Sequence, residues 1–208
     1  MNHKAFVVID IQNDITRHYK DIIDRLNAAV EWAAESCMAI VYIQHNNLSA
    51  GTRTFKPGTK GAELVPELKI VSDHIFVKTK ASALTSEAFS EFIRSKEIRE
   101  FYITGADATG CVKSTCFNMT KAGYAVHVIS DCVTSYDLKK KPEMLAYYDC
   151  CFLDWVLFAN VKRIRLPGTE EMDRAYHQKK YHVIHSLIGM ELGLFPCLAC
   201  GWIVAAVS

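Results

Sequence analysis

Three side chains in this sequence could together perform nucleophilic catalysis: the thiol of Cys111, the carboxylate of Asp10 and the ammonium of Lys78. A carboxylate can accept the proton of a thiol, and a nearby ammonium can stabilise the thiolate that forms. Each of the three residues lies at or shortly after the end of an apolar run. The chemistry that they would serve is attack of a thiolate on a carbonyl carbon.

The segment around the cysteine, "TGADATGCVKST" at 104–115, could be a damaged nucleotide site, a structural turn or a loop that presents a thiol. Gly105 and Gly110 have the spacing of a phosphate-binding loop, but Cys111 stands where that loop needs a lysine. Lys113 comes two positions too late, and a helix turns by about 100 degrees per residue, so its ammonium would lie on another face. We therefore interpret the segment as a loop that presents a nucleophile.

The position of Cys111 at the first turn of a predicted helix, 111–121, bears on its reactivity. Unpaired N–H groups and the positive end of the helix dipole stabilise a thiolate and lower the pKa of a cysteine. From the sequence we therefore expect a depressed pKa for Cys111, with Lys78 holding the thiolate. The backbone N–H groups of Cys111 and Asp107 are candidates for an oxyanion hole.

The elements that must position these residues follow from the apolar pattern. Runs rich in β-branched residues predict buried strands at 5–11, 39–45, 74–79, 101–106 and 125–130. Apolar residues at helical spacing lie between them, as in the stretch from Ile22 to Ala33. This alternation predicts an α/β protein with a three-layer, Rossmann-like fold, in which helices cover both faces of a mostly parallel central sheet.

In such a sheet the binding site lies beyond the carboxyl ends of the strands. That edge is where the strand-end residues Asp10, His45 and Lys78 fall, together with the loop that carries Cys111. The segment 46–66 is a long loop punctuated by Gly and Pro, of a length usually kept for binding, and we expect it to arch over the site.

Three separated motifs resemble those of the isochorismatase-like cysteine hydrolases, which include nicotinamidases and N-carbamoylsarcosine amidohydrolases. They are "VVIDIQND" at 7–14, "FVKTKASAL" at 76–84 and "TGADATGCV" at 104–112. The resemblance implies a catalytic triad of Asp10, Lys78 and Cys111 and a thioester intermediate. It also implies a cis peptide bond between Ala106 and Asp107, an oxyanion hole formed by the N–H groups of Asp107 and Cys111, and a homodimer or homotetramer.

The sequence departs from the family pattern at several positions. The family often has Thr-Asp within the nucleophile loop, whereas this chain has Ala108, Thr109 and Gly110. Ile15 and Leu84 stand where aromatic residues are usual, which makes the pocket wider and less suited to stacking a ring. The residues that we expect to contact substrate are Ile15, His45, Ser82, Leu84 and Thr109.

Metal and cofactor use also follow from the resemblance. Nicotinamidases carry a metal-binding Asp-x-His and a further His between the second and third strands, and "QHNNLSAGTRTF" offers only His45. We therefore predict no catalytic metal and no cofactor.

The composition of the chain restricts the kinds of partner that it could bind. The 208 residues carry a formal net charge of +1, which leaves no large field for attracting nucleic acid. We predict a small-molecule amide or ureide as substrate and no nucleic-acid partner. The eight cysteines lack the framework of a secreted scaffold and predict a reduced, cytoplasmic protein. We interpret Cys37, Cys116 and Cys132 as small packed hydrophobic residues, and the Cys197–Cys200 pair lacks further zinc ligands.

Composition changes near residue 151. We predict a cysteine hydrolase domain at 1–158, whose final strand would come from 151–161, and an atypical, partly apolar C-terminal tail at 159–208. Glu191 and Pro196 interrupt the apolar stretch, which favours packing against protein over a membrane span.

The function that the sequence predicts is cysteine-dependent hydrolysis of a C–N bond in a small amide or ureide. The alternative is a catalytically inactive protein of the same fold that acts in ligand binding or as a scaffold.

Overall fold

The computed structural model describes residues 3–15, 18–142, 145 and 161–164. Six strands form one sheet: β1 (Lys4–Ile9), β2 (Ala39–His45), β3 (Ile75–Lys78), β4 (Glu100–Gly105), β5 (Ala125–Val133) and β6 (Val161–Ile164). The α-helices that lie wholly within these ranges are α1 (Ile23–Glu35), α2 (Glu87–Ser95) and α3 (Cys111–Lys121), and each connects two strands. Short 3₁₀ turns occur at Tyr19–Asp21, Lys60–Ala62 and Ala83–Thr85.

The strand order is β3-β2-β1-β4-β5-β6, and every neighbouring pair is parallel. Alternate residues of β1 face opposite sides of this sheet, as a strand requires. Phe6 and Val8 pack with α1, whereas Val7 and Ile9 pack in the cluster that contains α2 and α3. The predicted three-layer α/β fold with a parallel sheet and helices on both faces is thereby confirmed.

The helices form where the apolar spacing predicted them. Helix α1 buries Leu26, Ala29, Val30 and Ala33 along one stripe. Helix α2 begins after Ser86, whose hydroxyl accepts a hydrogen bond from the N–H of Phe89. Both helices therefore present a continuous apolar face to the sheet.

The third predicted strand is not buried as expected. Ile75 and Val77 in β3 are 41% and 44% exposed, because β3 is the outermost strand and pairs with β2 alone. Cys37, which we expected to pack as a hydrophobic residue, is also exposed, in the turn that follows α1. Cys116 and Cys132 are buried as predicted.

The sheet continues past residue 158, because β6 at Val161–Ile164 pairs with β5. Most of the predicted final strand at 151–161, the predicted boundary at 158 and the tail residues Glu191, Pro196, Cys197 and Cys200 lie outside the described residues. The division into 1–158 and 159–208 stays a prediction. Within the described ranges, no helix is long and apolar enough to cross a membrane.

The carboxyl ends of β1 and β4 form the point at which the strand order reverses. From β1 the chain continues to β2 and β3 on one side, and β4 starts the other side. Crevices at such reversal points are the usual binding sites of open parallel sheets. Asp10 follows β1 and the loop that carries Cys111 follows β4, so the fold brings both to this reversal point.

A close approach between β1 and β4 depends on Gly105. Its φ is +105°, and a Cβ at this position would overlap the backbone of Ile9. The next residue, Ala106, donates its N–H to the Ile9 carbonyl oxygen at 2.8 Å. The end of β4 is thus fixed against the end of β1, directly beside Asp10.

We expect Gly105→Ala to destabilise the protein by about 3 kcal/mol or more, because it adds both a backbone clash and an unfavourable φ. Gly58→Ala is the matched control, since Gly58 also has a positive φ of +75° but nothing lies near the added Cβ. Thermal unfolding of the two variants measures the difference. Equal losses for both would show that the clash with Ile9 is unimportant.

Candidate active site

Asp10 is held in an unusual backbone conformation directly after β1. Its φ is +53°, and its N–H donates to the Ile43 carbonyl oxygen of β2 at 2.9 Å. The residue is 1% exposed, and its Oδ2 accepts a hydrogen bond from Lys78 Nζ at 2.8 Å. The second oxygen, Oδ1, is buried and has no hydrogen-bond partner within the described part of the chain. Asp10 therefore has one oxygen available to accept a proton.

Lys78 is the last residue of β3, and its side chain is fully buried. The pairing register places it opposite His45 at the end of β2. Its Nζ contacts four acceptors: Asp10 Oδ2 at 2.8 Å, His45 Nδ1 at 2.8 Å, the Lys80 carbonyl oxygen at 3.2 Å and Cys111 Sγ at 3.2 Å. The ammonium is therefore the group that connects the first three strands to the cysteine.

Cys111 is the first residue of α3 and is half-buried. Its Sγ, a carboxylate oxygen of Asp10 and a ring nitrogen of His45 all lie within 4.8 Å of one another. The peptide bond between Ala106 and Asp107 is cis, as the sequence resemblance implies. Within the described residues, the N–H groups of Asp107 and Cys111 donate no hydrogen bond. The sequence thus correctly predicted that Asp10, Lys78 and Cys111 meet.

Burial dominates the electrostatics of the site. Burial raises the pKa of Asp10, while the charge and hydrogen bond of Lys78 oppose this rise. Burial also raises the pKa of the Cys111 thiol to about 12; the Asp10 carboxylate adds to the rise, and Lys78 opposes it. Burial and the Lys78 charge lower the pKa of His45 to about 4. At neutral pH, His45 is therefore uncharged and accepts from Lys78 through Nδ1.

The expected depressed pKa of Cys111 is therefore wrong in direction. The helix start and Lys78 do favour a thiolate, but the loss of water around the sulfur and the negative charge of Asp10 outweigh them. A thiol with so high a pKa carries its proton at neutral pH. The sulfur could act as a nucleophile only if a base removed this proton, and the Asp10 carboxylate lies within 4.8 Å of it.

Asp10, His45 and Cys111 offer an oxygen, a nitrogen and a sulfur close enough together to hold a metal ion. However, Lys78 Nζ lies within hydrogen-bond distance of an atom of each of these residues. The ammonium thus occupies the position from which a metal ion would contact the three donors. A metal could bind there only if Lys78 moved.

The residues after β1 anchor the long loop at 46–66. The Gln12 side chain is buried, donates to the Ala62 carbonyl oxygen at 2.7 Å and accepts from the His45 N–H at 2.8 Å. Asp14 Oδ2 accepts the N–H of Phe55 at 2.8 Å. Phe55 has a φ of +54°, and its ring centroid lies 5.6 Å from that of His45. The loop therefore brings an aromatic side chain to the edge of the site.

The predicted substrate-contacting residues have different surroundings. Ile15 packs in the cluster on the α1 face, whereas Leu84 packs in the cluster on the opposite face. Ser82 is 5% exposed, and its hydroxyl has no hydrogen-bond partner among the described residues. The Thr109 hydroxyl donates to Asp107 Oδ1 at 2.7 Å. Of these five residues, His45 contacts the cluster of Asp10, Lys78 and Cys111, because its Nδ1 lies 2.8 Å from Lys78 Nζ. The roles of all five residues toward substrate stay predictions.

Sequence reasoning missed two features of the site. Phe55 lies within a loop whose conformation no local pattern specifies, although the Gly58 and Pro57 that follow it marked a turn. The second feature is the Asp107 carboxylate, because the sequence predicts a role for the Asp107 N–H alone. The carboxylate accepts hydrogen bonds from Thr109, Ser135 and Tyr136. The hydroxyl residues Thr109 and Ser135 would point to this carboxylate only if the sequence showed that the end of β5 lies beside the end of β4.

Together, the fold and the site define an α/β protein with a buried carboxylate, ammonium and thiol at the carboxyl edge of a parallel sheet. The sequence profile of the isochorismatase domain matches residues 4–156. The chain therefore belongs to the isochorismatase family, as its resemblance to the isochorismatase-like cysteine hydrolases indicated.

Relatives of known sequence or structure agree with this assignment. Isochorismatase domain-containing protein 2 from Xenopus laevis is 32% identical over 71 residues, which cover 34% of this chain and 35% of that relative. The match thus spans about a third of that protein.

Solved structures share the fold at lower identity. A zinc complex of the pyrazinamidase of Pyrococcus horikoshii superposes with a TM-score of 0.67 at 20% identity, covering 79% of this chain and 99% of that chain. N-carbamoylsarcosine amidase from Thermoplasma acidophilum gives 0.67 at 18% identity, covering 80% and 98%. The nicotinamidase of Bacillus subtilis gives 0.66 at 16% identity, covering 78% and 99%.

The raised pKa of Cys111 gives a test by alkylation. Because the pKa is about 12, the rate of modification by iodoacetamide should rise about tenfold per pH unit between pH 7 and pH 10, as the thiolate fraction grows. Asp10→Asn removes the negative charge that raises this pKa, so its curve should move to lower pH. Lys78→Met should move it to higher pH.

Peptide-level mass spectrometry resolves Cys111 from the other cysteines, and the exposed Cys37 provides an internal reference for the reagent. A wild-type curve that levels off below pH 8 would show that burial does not control the thiol.

The hydrogen bond by which Asp14 holds the 46–66 loop can be tested with a substitution at Gly61. A Cβ there would overlap the Asp14 carboxylate, which accepts the Phe55 N–H. We expect Gly61→Ala to increase hydrogen exchange at the Phe55 amide by at least about tenfold, since a hydrogen bond to a charged group is lost. Gly51→Ala in the same loop is the control, since its φ of +75° makes the variant strained but its added Cβ meets no atom and so leaves Asp14 in place. Unchanged exchange in Gly61→Ala would mean that Asp14 does not hold the loop.

Proposed function

We propose that this protein is a cysteine-dependent hydrolase that cleaves a C–N bond of a small amide or ureide through a thioester. The observation that carries the proposal is the position of the Lys78 ammonium, 2.8 Å from Asp10 Oδ2 and 3.2 Å from Cys111 Sγ. The unpaired second oxygen of Asp10 supplies the base that a protonated thiol needs.

In the first step, the free oxygen of Asp10 takes the proton of the Cys111 thiol as the sulfur attacks the carbonyl carbon. The S–C bond forms, and the carbonyl π electrons move to the oxygen. The unpaired N–H groups of Asp107 and Cys111 are the proposed donors to this oxyanion. Lys78 keeps its positive charge throughout and stabilises the developing thiolate.

In the second step, the C–O double bond re-forms and the C–N bond breaks. The leaving nitrogen takes the proton held by Asp10 and departs as ammonia or an amine, leaving the thioester on Cys111. A water molecule then attacks the thioester while Asp10 accepts its proton. When the C–S bond breaks, the acid product leaves, and the proton returns from Asp10 to the sulfur.

The raised pKa of Asp10 supports its part in this cycle. A carboxylate accepts and returns protons efficiently when its pKa is closer to neutral than that of an exposed aspartate. Burial raises the pKa of Asp10, and the charge and hydrogen bond of Lys78 limit the rise. The same side chain can therefore act first as a base and then as an acid.

The names of similar proteins support the substrate class. Pyrazinamidase and N-carbamoylsarcosine amidase are amidases by name, and both share the fold over most of their length. In this chain, we propose that His45, Phe55 and Ser82 border the bound substrate, with Ile15, Leu84 and Thr109 completing the surface. A half-buried aromatic ring beside uncharged His45 favours a neutral substrate.

One observation favours the alternative of an inactive ligand-binding protein. The pKa of Cys111 near 12 leaves very little thiolate before a substrate binds. The two functions differ in whether Asp10 can remove the proton within the complex, so a turnover experiment separates them. We further propose a homodimer or homotetramer, from the family resemblance, and a cytoplasmic location, from the reduced cysteines.

We expect Cys111→Ala to abolish ammonia release from every amide or ureide that the wild-type protein hydrolyses. Asp10→Asn and Lys78→Met should each lower kcat/KM by about 1,000-fold or more, because each removes a member of one interdependent unit. Cys37→Ala should retain full activity, because Cys37 is exposed and precedes β2, at the opposite end of that strand from His45. The measurement is enzymatic detection of ammonia across a panel of small amides and ureides.

Mass spectrometry of the quenched reaction should also show the acyl group on Cys111. Full turnover in Cys111→Ala would overturn the proposed mechanism. A wild-type protein that binds these compounds without releasing ammonia would support the ligand-binding alternative.

A further inference from the structure

The Asp107 carboxylate lies at the centre of a hydrogen-bond network next to the nucleophile. Its Oδ1 accepts from the Thr109 N–H at 2.6 Å, the Thr109 hydroxyl at 2.7 Å and the Ser135 hydroxyl at 3.0 Å. Its Oδ2 accepts from the Ser135 hydroxyl at 3.1 Å and the Tyr136 N–H at 2.5 Å. Four donor groups from two different loops thus surround one carboxylate.

The backbone of the same residue is fixed as well. The Asp107 carbonyl oxygen accepts from the N–H groups of Gly110 and Val112, each at 3.0 Å. The next residue, Ala108, donates its N–H to the Thr134 carbonyl oxygen at 2.9 Å. The Asp107 N–H itself donates to no acceptor in the described ranges. Every polar group of Asp107 is therefore used to hold the residue in place, except its N–H.

We propose that the Asp107 carboxylate is a positioning residue that aims its own N–H, and that of Cys111, at the oxyanion of the reaction. This inference rests on the proposed function, since it assigns a role in that reaction. It also gives a reason for the unusual nucleophile loop. Where the family often has Thr-Asp, this chain places the carboxylate at Asp107 and the hydroxyl at Thr109, and the loop after β5 completes the network through Ser135.

The hydrogen bonds argue against a role for Asp107 as the catalytic base. Both of its oxygens are occupied by donors, whereas Asp10 keeps one oxygen without a partner. Four donors also offset the negative charge of Asp107, which would otherwise oppose an oxyanion at its own N–H. Holding donors rigidly at the developing charge is how an oxyanion hole lowers a barrier.

A graded set of variants tests the network. Asp107→Ala removes every acceptor, and we expect kcat to fall about 100-fold, because misaligned oxyanion donors cost about this much. Asp107→Asn keeps one oxygen for Thr109 but turns an NH₂ group toward the Tyr136 N–H, so kcat should fall about tenfold. In both variants KM should change less than about threefold. Thr109→Ser should retain more activity than Thr109→Val.

A second readout needs no turnover. A small aldehyde, propionaldehyde, adds reversibly to a thiol and gives a tetrahedral adduct whose oxygen lies where the oxyanion would form. We expect Asp107→Ala to weaken propionaldehyde binding, measured by protection of Cys111, about 100-fold. Alkylation of Cys111 by iodoacetamide forms no oxyanion, and its rate should stay within about threefold of wild type.

Asp137→Asn is the matched control, since Asp137 lies in the same loop and its Oδ1 accepts from the Lys139 N–H. It should leave both readouts unchanged. If aldehyde binding and alkylation fall together in Asp107→Ala, the carboxylate only maintains the loop and the inference is wrong. If neither changes, it is also wrong. If no amide is hydrolysed but Asp107→Ala still weakens propionaldehyde binding selectively, the proposed function is wrong, while the positioning of the two N–H groups by Asp107 is supported.

Discussion

The buried ammonium of Lys78 is the charge on which the arrangement of the site depends. A cation without water around it is costly unless acceptors replace that water. Here a carboxylate, an imidazole nitrogen, a carbonyl oxygen and a sulfur surround it, and they come from three strands and one helix. Removing a partner of such a pair costs about 3–5 kcal/mol in typical buried examples. The acceptors are therefore held together by the same charge that they stabilise, and the sulfur is brought to the base as part of that arrangement.

The sheet supplies the geometry for this cluster. Parallel strands end at one edge, and the strand order reverses there between β1 and β4, which is where open parallel sheets usually bind their ligands. Gly105 lets the two strand ends approach closely, while Gln12 and Asp14 fasten the loop at 46–66 to the end of β1. The chemistry thus lies on rigid elements, and the loops beside it are held by buried or charged hydrogen bonds.

The sequence was sufficient to predict the parallel α/β fold, because strands and their ends follow from short-range patterns. The strand-end positions, together with the three family-like motifs, predicted that Asp10, Lys78 and Cys111 meet. The sequence was not sufficient for the pKa of Cys111, which depends on how much water the folded protein removes from the sulfur. The exposure of Ile75 and Val77 was missed because an outer strand and an inner strand have the same apolar composition. The Asp107 network was missed because Ser135 and Tyr136 reach it from 28 and 29 residues away.

Because β3 is short and lies at the edge of the sheet, its alignment with β2 decides whether Lys78 reaches the site. Along β3, Val77 faces outward and Lys78 faces inward, and only four residue pairs with β2 fix this alignment. A slip of the strand by one residue would exchange the two orientations, delivering a hydrocarbon to the sulfur and carrying the ammonium into water. The slip would also turn Phe76 away from Phe89 and Phe92, but the other strands could stay paired, so a folded molecule would hold no cation beside its thiol. Alignment errors in this one four-residue strand would therefore give molecules that are folded but lack the Lys78 ammonium in the site.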